Sequence, residues 1–163
     1  MEKLAEKEKA RRRPNEADEF EKKVLQVDRI SRTVRGGRRI RFRVLVILGN
    51  RAGKVGMGIG KATEVVEAVE KGTTMARKNL VEVPIVSGTI PHELEVFMGS
   101  AHLLLKPAKA GSSIVAGGTI RTICDLAGIK DVMGKILGTA NKINNSKAMF
   151  EAFRRFKKEE NAQ

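Results

Sequence analysis

Gly56, Gly58, Gly60 and Lys61 come closest to a spacing for phosphate chemistry, since closely set glycines let backbone amides approach an anion. They complete neither nucleotide motif. A P-loop needs glycine at position 55 and Ser or Thr after Gly60-Lys61; the chain has Val55 and Ala62 there. A dinucleotide fingerprint needs its third glycine at position 61, which is Lys61. Period two places the three glycines on one face of a strand and Val55, Met57 and Ile59 on the other. A face without side chains admits close packing by a helix or by RNA, and the local sequence leaves both open.

Just upstream lies the densest charge. The chain has 163 residues, 32 Lys and Arg against 19 Asp and Glu, for a net +13. Residues 29–54 hold nine cations and no acid. A surface tuned only for solubility mixes its signs. Guanidinium groups fork onto phosphate oxygens, so this segment has the chemistry of a polyanion contact. The candidate RNA-binding residues are Arg29, Arg32, Thr33, Arg35, Gly36, Gly37, Arg38 and Arg39 on the hairpin, then Arg51, Lys54, Gly56, Gly58, Gly60 and Lys61 around the glycine strand. Arg41 and Arg43 are balanced between RNA contact and lying along the sheet. Asn141, Lys142, Asn144 and Asn145 offer amide and ammonium donors to phosphate or ribose, or else shape a turn and cap. Trp and Tyr are absent, which points to phosphates, sugars and helix shape rather than base stacking.

Other chemistry is poorly provided for. One cysteine, Cys124, makes no internal disulfide, and with His92 and His102 it makes no metal cluster; all three read as ordinary core or strand residues. No catalytic residue, cofactor or metal is assigned. There is no apolar leader and no membrane-length apolar run, which places the chain in the cytoplasm as an expectation.

The elements that must position these residues follow from periodicity. Residues 1–19 alternate in charge and read as a flexible tail, with Arg11-Arg12-Arg13-Pro14 a weaker RNA candidate. Strands are predicted over 24–34 and 39–48, joined by the turn Arg35-Gly36-Gly37-Arg38. Arg39, Arg41 and Arg43 alternate with Ile40, Phe42 and Val44, so an arginine row backs a core row. Val44 to Leu48 is continuously apolar and predicted to be covered on both faces. Thr63 is the expected cap of a helix reaching Asn79, with Val65, Val69, Gly72, Ala76 and Leu80 inward. The first domain, 20–83, is thus three strands and a helix. The second, 84–156, is predicted to have strands over 85–96, 101–105 and 130–137. A small-residue loop should span 107–118, and a helix 119–127. Asn145 or Ser146 should cap a last helix carrying Met149, Phe150, Phe153 and Phe156. Its basic tip, Arg154 to Lys158, suits either a helix end or RNA; residues 157–163 are read as a tail.

Several motifs at once resemble one family. They are Val-Asp-Arg-Ile-Ser-Arg-Thr-Val-Arg-Gly-Gly-Arg-Arg at 27–39, Gly-Met-Gly-Ile-Gly-Lys-Ala-Thr-Glu-Val at 56–65, Lys-Pro-Ala-Lys-Ala-Gly-Ser-Ser-Ile-Val-Ala-Gly-Gly at 106–118, and Asn-Lys-Ile-Asn at 141–144. Together they resemble the bacterial form of the fifth small-subunit ribosomal protein family. The resemblance implies an α+β chain of two domains. The first is similar to a double-stranded-RNA-binding domain. The second is similar to a small α/β sandwich with a left-handed βαβ crossover. It implies partners too: small-subunit ribosomal RNA, the fourth and eighth small-subunit proteins, and messenger RNA near the entry channel, with no membrane and no need for self-assembly. It implies a link between body and head and an influence on decoding accuracy. The hairpin loop corresponds to the one reaching the neck. Lys106, Lys109, Gly111, Ser112, Ser113 and Arg121 correspond to the region facing the fourth protein. Ser113 stands where many members have glycine.

Two rivals come from other classes. Residues 107–118 also resemble the phosphate loop of the galactokinase–homoserine kinase group, which would make the chain a small-molecule kinase. The second half is short for that fold and places no evident Asp or Glu as base or magnesium ligand. The other rival is an RNA chaperone outside the ribosome.

Overall fold

The computed structural model describes residues 20–160, with side chains as far as Phe156. The tail read at 1–19, with Arg11 to Pro14, lies outside the described residues, as do the side chains of Lys157 and Lys158. The chain forms β1 (Glu21–Val34), β2 (Gly37–Gly49), β3 (Lys54–Ala62), α1 (Val65–Lys78), β4 (Leu80–Glu82), β5 (Leu94–Met98), β6 (Ala101–Pro107), β7 (Ile114–Ala116), α2 (Gly118–Ala127), β8 (Val132–Ile136) and α3 (Lys142–Glu160).

β1 to β4 make one antiparallel sheet in chain order, so a short fourth strand joins the three expected. Leu80, read as the last inward position of the helix, belongs to that strand. α1 lies against β3, and its fit is metrical. Ala68, Gly72 and Ala76 are the buried residues of α1, four apart, about 6 Å of helix rise each. Gly60, Gly58 and Gly56 are two apart in β3, about 6.6 Å each. A Cβ on Gly60, Gly58 or Gly56 would overlap the carbonyl oxygen of Ala68, Gly72 or Ala76 respectively. The bare strand face therefore takes the helix backbone. Val65, expected inward, is 37% exposed. The helix is capped at Glu64 without a side-chain bond, rather than at Thr63.

The second sheet runs β5-β6-β8-β7, antiparallel except for β7 beside β8. β7, α2 and β8 are the parallel βαβ unit. β7, three residues long, sits inside the stretch read as a loop. The expected strand over 85–96 is confined to β5; before it, Val86 and Thr89 form an isolated bridge. α3 starts at Lys142, so Asn145 and Ser146 lie inside it. Asn141 does the capping: its Oδ1 accepts from the Ile143 amide at 3.0 Å.

The two halves share one core. Ile47, Val55 and Val83 from the first are clustered with Leu103, Ile120, Ile123, Leu126, Phe150 and Phe153 from the second. Val44, Val46 and Leu48 face α1 in a separate cluster. The continuously apolar half of β2 is covered on both faces, as its composition requires. The turn between β2 and β3 completes the junction. The Arg51 and Gly53 amides donate to the Leu126 and Ala127 carbonyls, both at 2.9 Å, filling acceptors that the end of α2 leaves open. Gly49 and Gly128 have no side chain where the backbones of Leu126 and Arg51 press on them.

Candidate nucleic-acid interface

Beyond the reach of α1 the β1–β2 hairpin continues as a two-stranded finger. Its turn closes at Arg35-Gly36, one residue earlier than expected, and Gly37 opens β2 at φ 136° opposite Val34. Every residue from Ser31 to Arg41 is exposed. Ile40 belongs to the expected core row but is 41% exposed, because no element covers the finger there.

Register assigns the cations to faces. Arg32 pairs with Arg39, Ile30 with Arg41, Asp28 with Arg43, and Arg43 with Lys61. Paired residues share a face, so this row lies opposite α1. We call it the open face. Arg29 pairs with Phe42 and Thr33 with Arg38, which puts Arg29 and Arg38 on the helix side. On the open face Arg32, Arg39, Arg41 and Lys61, with Ile30 and Val34, line a cleft of about 540 Å³. Arg41 was left undecided by sequence; the alternation Arg39-Arg41-Arg43 was the signal that joins it to the row. Arg43 differs. Its guanidinium donates to Asp28 at 2.7 and 3.1 Å, so part of its donor set is taken within the sheet. The Gln26 amide, and then Arg43, hold the Asp28 carboxyl below its ordinary range.

The remaining candidates divide. Gly56, Gly58 and Gly60 are buried under α1, so they leave the RNA-facing set: helix packing, not RNA, fills their bare face. Asn145 is 1% exposed, with its Nδ2 donating to the Thr139 carbonyl at 2.9 Å. Arg51 is exposed but ion-paired with Glu21 at 2.9 Å. Lys54 is exposed at the start of β3, opposite Glu82 in register. Asn141 and Lys142 are exposed; the Lys142 ammonium donates to the Leu25 carbonyl at 3.3 Å, and Asn144 reaches Ser100 Oγ at 3.3 Å.

The proposed protein-facing loop is exposed throughout: Lys106, Lys109, Gly111, Ser112, Ser113 and Arg121. Lys106 pairs with Glu93 at 2.9 Å, and Arg121 donates to the Ile114 carbonyl at 3.1 Å, bracing β7 from the helix. Ser113 sits at φ 60°, a left-handed conformation that favours glycine, and its amide donates to Asp131 Oδ1 at 2.8 Å. Burial pushes the Cys124 thiol up to about 12, which fits an inert core residue. Among the described residues no group of His, Cys, Asp and Glu is arranged to hold a metal ion, and no helix is long and apolar enough to cross a membrane.

Comparison with known proteins finds two family models that match the chain in succession. Residues 20–84 match the model of ribosomal protein S5, N-terminal domain, and residues 97–163 match that of its C-terminal domain. Small ribosomal subunit protein uS5 from Thermotoga neapolitana is 48% identical over 127 residues, 78% of this chain and 71% of that one. Its counterpart from Thermotoga maritima gives the same figures, 48% over 127 residues with 78% and 71% covered. Small ribosomal subunit protein uS5c from Guillardia theta is 43% identical over 135 residues, 82% of this chain and 80% of that one.

Proposed function

The chain belongs to the ribosomal protein S5 family, a structural and non-enzymatic one, and from that premise we propose that it holds ribosomal RNA in the small subunit through its β1–β2 finger. Membership removes the kinase reading of residues 107–118. One observation carries the RNA reading: seven cations without an acid over residues 29–43, mounted on a hairpin that projects past its own core.

Arg32, Arg35, Arg38 and Arg39 are the principal contacts. Arginine forks take phosphate oxygens, while the bare Gly36 and Gly37 let backbone come close. A Cβ at either glycine would meet nothing within 4 Å, so the space is there for RNA. Such contacts position a protein on RNA without reading sequence. Two chemically unlike surfaces, the basic finger and the small-residue loop at 106–121, support a bridging role between RNA and protein. In this reading the finger reaches the neck and links body to head, and the loop meets the fourth small-subunit protein. The eighth protein and messenger RNA at the entry channel are further neighbours, and decoding accuracy depends on how firmly the link is held.

The test is assembly. Arg35→Glu with Arg38→Glu should fold normally and yet be largely missing from small-subunit particles after a high-salt wash. Incorporation equal to the parent would sink the proposal. For the parent, if about six phosphates are neutralised, affinity for ribosomal RNA should fall by roughly 10³-fold between 50 and 200 mM salt.

A further inference from the structure

The open-face cations do not stop at the finger. Arg39, Arg41 and Arg43 stand about 6.6 Å apart along β2, with Arg32 and Lys61 beside them in register. Next comes Lys142, whose ammonium rests on the Leu25 carbonyl of β1 and lies close enough to Asp28 to act on its carboxyl. Lys142 in turn lines a second cleft, of about 560 Å³, with Leu25, Gly118, Thr119, Thr122 and Asn145. Thus the row leads from the fingertip to the junction of the two halves.

That junction is built at the start of two helices. α2 begins at Gly118 after Gly117, which has no side chain to cap it, and its first internal bond is from the Arg121 amide to the Gly117 carbonyl. The amides of its first turn point where an anion is favoured. A second and independent feature lies in the same wall. Asn145 is 1% exposed, and its Oδ1 has no donor among the described residues. An unfilled acceptor beside unfilled donors fits a ligand carrying both a phosphate and a hydroxyl. The opposite side of the sheet is different. α1 opens with Glu64, Glu67 and Glu70, which repel phosphate from that helix end.

We propose that a single RNA backbone follows the open face from the finger to the interhelical cleft, where one phosphate meets the first turn of α2 and Lys142, and the neighbouring ribose hydroxyl meets Asn145. This deepens the RNA-binding reading and rests on it.

Filter binding of the full chain to a transcript of small-subunit ribosomal RNA, over a series of KCl concentrations, tests it. Arg41→Gln with Lys142→Gln should lower affinity at least ~10-fold and flatten the salt slope by about two, one for each phosphate left without its cation. Arg77→Gln with Lys78→Gln, an equal loss of charge on α1, should leave the slope in place. Gly118→Asp is the sharper variant. Its Cβ has open space, and a carboxylate in the first turn suits the helix dipole, so its melting temperature should hold or rise while its RNA affinity falls. Equal slopes for the two double variants, or parental binding by Gly118→Asp, would overturn the track. A parent without a steep salt slope would instead overturn RNA binding through the finger, so the two failures are told apart.

Discussion

β2 is one strand with two fates. From Val44 to Leu48 it is fully buried, with α1 on one face and the second half of the chain on the other. From Gly37 to Arg41 it is exposed on both faces and every second residue from Arg39 is arginine. Both halves are strand, and both pair with β1. What differs is whether anything lies above and below. Where packing stops, continuous hydrophobicity gives way to alternating charge. The packed fold ends along this strand, and the surface proposed for RNA begins. The buried residues Val44 to Leu48 anchor a lever whose far end needs no core of its own.

The largest effect should come from the anchored half. Gly60→Val puts branched carbons into the Ala68 carbonyl and the Gly72 amide, with backbone on both sides and no flexible side chain to yield. A loss above about 3 kcal/mol is expected, enough to unfold a marginal domain, read by urea denaturation. Gly36→Ala at the fingertip has free space and no positive φ, so it should stay within about 0.5 kcal/mol. If both variants cost the same, the division of the strand is wrong.

Isoleucine gives the same contrast at smaller scale. Ile47→Ala empties part of the core shared by the two halves and should cost about 2–5 kcal/mol; Ile40→Ala, on the exposed finger, should cost well under about 1 kcal/mol. Cys124 lies in the same core as Ile47 and reports its opening. With its thiol held up at about 12 by burial, it should resist alkylation at pH 8 in the parent. Labelling should quicken with Ile47→Ala and not with Ile40→Ala.

Sequence carried the finger well, because alternation is a local signal and a charge excess needs no partner to be seen. It also gave the bare face of β3. What it could not give was the occupant: Gly56, Gly58 and Gly60 invite any close backbone, and only the matching rise of Ala68, Gly72 and Ala76 selects the helix. β4 was missed because Leu80 continues the helical period of α1, so its place in a strand is decided by pairing with Gly56. β7 was missed for a similar reason. Its three residues gain strand geometry only from β8, which the whole of α2 separates from them in the chain. Asn145 looked like a cap because caps are polar and precede apolar runs; Asn141, one turn earlier, does that work and leaves Asn145 buried with an open acceptor. The two missed strands share a cause, since in each the deciding pairing is distant in sequence.

The smallest effect tests the border between the two halves of β2. Asp28 and Arg43 pair there, and among the described residues Asp28 is the carboxylate in register with the open-face row. Its pKa in the folded chain is lowered from the ordinary 3.8, first by the Gln26 amide and then by Arg43. A lowered carboxyl stabilises the fold above its unfolded pKa, and that contribution is lost as pH falls below 3.8 toward the folded value. Stability should therefore be flat from about pH 5 to 8 as far as this group is concerned, with a loss only in acid. Asp28→Asn should remove that acid limb and cost less than about 1 kcal/mol at neutral pH, as partly exposed ion pairs do. The same change releases Arg43 to solvent on the open-face row. Affinity for ribosomal RNA should then rise by roughly threefold, the scale of one surface charge pair. A variant that loses stability and RNA affinity together would place Asp28 inside the RNA contact, and the border would have to move toward the fingertip.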